Sequence, residues 1–249
     1  MNLRRSIELV LLLCALPLSA QEYRQRMEYP VSQRPVSEIV QERTGFLLSY
    51  NPTWKIPNWA AYEITCKEVS GEVKRYNRFM PDPAFAQQSA DNEDYRNSGW
   101  DRGHNAPAGD MKWDSTAMIE SCYYSNIYPQ NHDLNGGDWH KLERRVRDWA
   151  CRYERVWVVT GSIVGANPEF IGPHRVVVPH AFFKAVLRYH HGQYAAVGFV
   201  MPNRNGPHPL WESALSIDDL ELLTGYDFFS NLPDDVENQI ESEFQPQQW

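Results

Sequence analysis

The apolar residues of this chain follow two periods, and the change from one to the other divides it. Residues 46–50 (Phe46-Leu47-Leu48-Ser49-Tyr50) and 59–66 are apolar runs rich in aromatic and branched side chains, separated by Asn51-Pro52; they read as two strands. From 139 to 152 the spacing becomes helical. Trp139, Leu142, Val146 and Trp149 recur every three or four positions, with Lys141, Glu143, Arg144, Arg147 and Asp148 on the opposite side. A shorter helix is predicted around 113–121. Strand patterning then returns at 156–160, stopped by Gly161, and at 175–179, 182–189 and 194–201, with turn residues between. Ser216 precedes Ile217-Asp218-Asp219-Leu220, a serine cap followed by two acids in a first helical turn. Long β-rich stretches broken by few helices predict an α+β fold, a central, largely antiparallel sheet flanked by helices, and not a βαβ series.

The ends read differently from the middle. Arg4 and Arg5 precede an apolar run at 9–16, and Ala20 offers a small residue for cleavage, so 1–20 reads as a signal peptide and the protein as secreted or periplasmic. The run is too short to span a bilayer, so no stable membrane association is expected. Residues 21–45, polar with Pro30 and Pro35, read as an N-terminal arm, 46–240 as a single domain, and 241–249 as a flexible tail. Beyond the leader stand Cys66, Cys122 and Cys151; at most one disulfide can form, and sequence does not choose the pair.

Charge changes the picture of the partner. The 249 residues carry 24 basic and 32 acidic side chains, against the basic footprint of a phosphate binder. Ten of the acids, however, lie in 205–249, which has no Lys or Arg, leaving 24 basic against 22 acidic upstream. Residues 141–155 hold six basic and three acidic side chains, a local positive patch.

Close to that patch lie residues suited to phosphodiester hydrolysis. Asp101-Arg102-Gly103-His104 is followed by Asn126, Asn135, Glu143 and Arg147. A histidine can take a proton from water near neutral pH, an asparagine oxygen can hold a hard cation, and arginines can absorb phosphate charge. Taken singly, each has a plainer explanation: a structural His, an Asn-Gly-Gly turn, a surface Glu/Arg pair. Together they divide the labour of one reaction. Other hydrolase patterns are missing: Gly161-Ser162-Ile163 is no GxSxG elbow, there is no HExxH, and His190-His191 stands without matching acids.

On these residues the chain resembles the DNA/RNA non-specific endonucleases, the ββα-metal (His-Me finger) nucleases that include secreted bacterial sugar-non-specific nucleases and the mitochondrial endonuclease G group. The likeness rests on the DRGH box with Ala106-Pro107, on Ser-Asn-x-x-Pro-Gln at 125–130, and on Asn-x-x-x-Trp-x-x-Leu-Glu at 135–143. It extends through Asn58-Trp59, Phe79, Asp82-Pro83, Tyr95, Ser98-Gly99, Thr160-Gly161, Pro179, Phe182, Lys184 and the 223–229 block, with Ser162 where the family commonly has proline. The resemblance implies a Mg²⁺-dependent endonuclease, Mn²⁺ being the alternative ion, that cuts DNA and RNA with little sequence preference and leaves 5′-phosphate ends. It implies His104 as general base, Asn135 as metal ligand, Glu143 orienting the cation's water, and Arg102 and Arg147 on phosphate. Asn126 would support the His or the metal, and Asp101 would orient the box. A further arginine on phosphate is Arg75 or Arg78. Some relatives form dimers, so a homodimer is an open expectation. A phosphodiesterase for small nucleotide substrates and an inactive nucleic-acid-binding module of the same fold are the alternatives.

Overall fold

Strands that bury both faces must sit in the middle of a molecule, and here they form a sheet covered on two sides. In the computed structural model, which describes residues 25–85, 88–242 and 244–249, the relevant strands are β1 (Ile39–Glu42), β2 (Leu47–Asn51), β3 (Ile56–Ile64), β4 (Asp101–His104), β5 (Ile127–Gln130), β6 (Arg155–Ile163), β7 (Ala181–His190), β8 (Gln193–Pro202) and β9 (Ala214–Leu215). Seven of them make one sheet in the order β9-β8-β7-β6-β3-β2-β1, antiparallel at every step. Successive residues alternate sides. Leu48, Ala60, Val158 and Phe182 enter one core, and Leu47, Ala61, Val159 and Phe183 the other. The predicted α+β class, with its largely antiparallel sheet, is the architecture observed.

Four helices cover the two faces of this sheet where chemistry-bearing residues gather: α1 (His132–Gly136), α2 (Asp138–Arg152), α3 (Ile217–Thr224) and α4 (Asp234–Glu241). The predicted stripe of α2 is its buried face, with Trp139, Leu142, Val146 and Trp149 all at 2% exposure or less, each worth about 2 kcal/mol of burial. Ser216 caps α3 as expected, its hydroxyl accepting from Asp219 N at 3.1 Å, and Gly225 ends that helix in the left-handed region.

The neighbours β3 and β6 pair Ala60 with Thr160, yet about 90 residues of chain separate the two strands. That insertion holds the β4–β5 ribbon, α1 and α2. Cys66 and Cys151, 85 positions apart, join its start to its end, and Cys122 is left free and buried.

Several expectations change. Within the stretch expected to be an arm, Ile39–Glu42 forms the sheet's edge strand β1, too short and too exposed to show a period. The tail does not hang free: Trp249 packs 4.6 Å from Trp149 between ring centroids, and Gln248 O accepts from Arg188 Nε at 3.1 Å. Of 175–179 only Val176–Val177 is strand, because Arg175 has a positive φ and Pro179 lacks a donor. His190-His191 does meet an acid, since Glu154 Oε1 lies 3.6 Å from His191 Nδ1. The leader expected over 1–20 lies outside the described residues. No helix among the described residues is long and apolar enough to cross a membrane.

Candidate active site

The Asp101–His104 box is a strand. It pairs antiparallel with Ile127–Gln130, setting Gly103 against Tyr128 and His104 against Ile127. Gly103 is required by contact: a Cβ there would lie 2.7 Å from Gln130 Cβ. After His104 the chain is clamped by Asn126, whose Oδ1 accepts from Ala106 N at 2.9 Å while its Nδ2 donates to Ala106 O and Ser121 O. A buried amide that satisfies three backbone groups fixes the turn leaving the ribbon. Gly137 joins α1 to α2 where a Cβ would lie 2.2 Å from Asp133 O, so the chain can pass from one helix directly into the next.

Ribbon and helices enclose a cleft of about 260 Å³ lined by Arg75, His104, Asn135, His140, Glu143 and Arg147, with Pro107, Ala108, Gly109 and Gly136 between them. Four residues picked from sequence therefore converge: His104, Asn135, Glu143 and Arg147. Asp101 sits just behind, its Oδ2 accepting from Asn135 Nδ2 at 2.9 Å. That bond commits the amide nitrogen and leaves Asn135 Oδ1 available to a ligand. Arg102 and Asn126 do not line the cleft. Arg102 lies on the ribbon's flank, donating to Tyr124 Oη at 3.1 Å and Asn92 Oδ1 at 2.6 Å, and stacking over Phe79 and Tyr95. Of the two upstream arginines, Arg75 lines the cleft and Arg78 does not.

Phe79, 5.3 Å away between ring centroids, and Cys122, with Sγ 3.9 Å from Nε2, pack against His104. Burial first, and then the charge of Arg75, push its imidazole down to about 3, so it is neutral at physiological pH. Burial pushes the Glu143 carboxyl up, and the positive charge of Lys184 opposes that rise. Arg147 is anchored, Nη1 donating to Asp110 Oδ1 at 2.8 Å, while the other oxygen of Asp110 accepts from Tyr62 Oη at 2.8 Å. Beyond the cleft, Lys141, Arg144, Arg145, Arg147 and Asp148 line a shallow depression on the outer face of α2. Arg155, counted in the same patch from sequence, is instead paired with Glu63.

Sequence reading missed Asp110, Tyr62 and His140. Lys184 was noted only as a point of likeness. It lies on β7, 1% exposed, its Nζ without a hydrogen bond among the described residues and 5.0 Å above the Trp139 ring. No spacing rule links a strand lysine to a helix 40 residues away. Asn135 and Glu143 offer hard oxygen donors from one wall of the cleft, a set that fits a strongly hydrated divalent cation taking few protein ligands.

Comparison with known proteins places this geometry. Residues 24–235 match the DNA/RNA non-specific endonuclease family. The chain is 38% identical over 205 residues to the mitochondrial nuclease EXOG of Xenopus laevis, covering 76% of this chain and 57% of that protein. To the mitochondrial endonuclease G of Bos taurus it is 31% identical over 208 residues, covering 78% of this chain and 70% of that one. It thus spans little more than half the length of the EXOG relative. The solved structure of the EndoG/EndoGI complex superposes with a TM-score of 0.75 at 27% identity, covering 82% of this chain and 90% of that chain. The expectation of a secreted or periplasmic protein is corrected by these relatives, which are mitochondrial nucleases; a charged, apolar N-terminus does not by itself distinguish one destination from another. By the extent of these matches, the chain belongs to the DNA/RNA non-specific endonuclease family, whose members are metal-dependent nucleases.

Proposed function

We propose that this protein is an endonuclease that hydrolyses phosphodiester bonds of DNA and RNA with little sequence preference, leaving 5′-phosphate ends. The observation that carries the reading is the convergence of His104, Asn135 and Glu143 on one cleft that Arg147 and Arg75 also line. His104, held neutral, takes a proton from the attacking water. Glu143 accepts hydrogen bonds from water in the cleft and so aligns it. Arg147, fixed by Asp110, and Arg75 draw the phosphate oxygens in, while Arg102 adds charge from the ribbon's flank. Asn126 holds the turn after His104. Asn135, oriented by Asp101, would hold Mg²⁺, with Mn²⁺ as the alternative. When bound, that ion neutralises charge on the phosphoryl and leaving oxygens. The exposed cations on α2 give a nucleic-acid strand a place to lie.

The test is degradation of supercoiled plasmid, RNA and a dinucleotide ester by the purified protein with Mg²⁺ and with EDTA, repeated for His104→Ala and Asn135→Ala. Cleavage of plasmid and RNA, abolished by EDTA and reduced about 10³-fold or more in both variants, is expected. Cleavage of the ester alone favours a small-substrate phosphodiesterase. Binding without cleavage favours an inactive module, and full activity in either variant removes the assigned roles.

A further inference from the structure

On the sheet face away from α2, helices α3 and α4 pack against β8. Asp218 and Glu221, at i and i+3 on α3, face Glu241 at the end of α4. One carboxylate oxygen from each lies within 4.8 Å of the others. The charges that act most strongly on Glu241 are all acidic, Glu221 and Glu237 first and then Asp218 and Asp227, and 205–249 contains no Lys or Arg. Burial first, and then these four acids, push the Glu241 carboxyl up to about 9.

Glu241 is also alone in a second respect. It is 6% exposed, and its Oε1, wholly buried, has no hydrogen-bond partner among the described residues. Other buried carboxylates in the molecule are answered: Asp82 by Arg43 and Ser125, Asp110 by Arg147 and Tyr62, Asp94 by His174. Glu241 has no such answering side chain among the hydrogen bonds and ion pairs of the described residues. We propose that Asp218, Glu221 and Glu241 form a divalent-cation site of the Ca²⁺ class, separate from the cleft, that ties α3 to α4.

The donor set selects the ion. It is all oxygen, with no imidazole or thiolate, which suits a hard cation. Ligands at about 2.3–2.6 Å around Ca²⁺ stand up to about 5 Å apart, matching the spread of these oxygens without the regular octahedron Mg²⁺ demands. Glu221 accepts from Phe228 N through Oε1 at 2.7 Å, so its other oxygen remains for the ion. Asp218 is exposed and leaves that side open to water ligands.

The experiment uses the full chain carrying Asn135→Ala, so that cation binding at the cleft does not enter the count. After stripping with EDTA, Ca²⁺ is titrated by calorimetry and the melting temperature is followed. One Ca²⁺ per chain is expected, with a rise in Tm of about 4 °C or more at a hundredfold excess over Kd. Glu241→Gln is expected to remove the rise without lowering the metal-free Tm, and the surface change Asp218→Asn to weaken binding about tenfold. The metal-free Tm of each variant reports its folding. No Ca²⁺-dependent rise, an equal rise in both variants, or a rise with Mg²⁺ but not with Ca²⁺ overturns the proposal. Nuclease activity is not read, so the result stands apart from the function proposed above.

Discussion

Two clusters of ionisable groups, one on each face of the central sheet, are built in opposite ways. On the cleft side charges of both signs act on one another: Asp110 holds Arg147, and the charge of Lys184 favours ionised Glu143. On the far side Glu221, Glu237 and Glu241 gather with Asp218 and Asp227, and the charges that act most strongly on Glu241 are all acidic. Burying a charge is costly unless it is paired, so a mixed cluster can be rigid without help while a single-sign cluster depends on something from solution. The cleft is therefore preorganised by its own chain. Its opposite is not.

Breaking a pair on the cleft side is expected to have the largest consequence. Asp110→Ala leaves Arg147 without its anchor and Tyr62 without its acceptor, at a cost of about 3–5 kcal/mol in chemical denaturation, with nuclease activity down about a hundredfold. Lys184→Met sharpens the contrast, because it removes a buried ammonium that makes no hydrogen bond among the described residues and acts on Glu143 by charge alone. Stability should fall by about 3–5 kcal/mol, because Glu143 is left buried without its opposite charge, and activity should fall about tenfold, as Glu143 loses the charge that favours its ionised form. Unchanged activity in the destabilised variant would mean that Lys184 serves the fold and not the site.

Smaller effects belong to the outer cations. Arg144→Ala and Arg145→Ala are each expected to raise KM a few-fold and to lower the salt dependence of DNA binding by roughly one ion. The smallest concerns pH. Arg75 holds the His104 imidazole down, after burial, and the base works only when deprotonated. Arg75→Ala therefore raises that pKa, and the acid limb of kcat/KM should move to higher pH by up to about one unit. An unmoved limb would mean that burial alone sets the imidazole.

What could be read from sequence was what is local. The α2 stripe, the Ser216 cap and the strands at 156–160, 182–189 and 194–201 follow from spacing within one element, and each stands in the fold. His104, Asn135, Glu143 and Arg147 were legible because one insertion carries them all. Asp110 was not, since a single aspartate in Ala108-Gly109-Asp110 looks like any turn until Arg147 is seen against it. Lys184 was hidden differently: it acts on Glu143 from the sheet behind α2, across a contact with Trp139 that linear spacing does not encode. Asn126 shows the reverse, an amide chosen for chemistry whose hydrogen bonds are all spent on backbone.

The Cys66–Cys151 bridge gives the insertion a character of its own. Because the bond fastens both ends of an 85-residue span, the chain carrying His104 and Asn135 is a ring hung from the sheet, and closing a ring of that size is worth about 4–5 kcal/mol in chain entropy. A protease that nicks the ring anywhere along its length releases no fragment: both halves stay covalently attached, and the cut protein keeps every working part in one molecule until a reductant arrives.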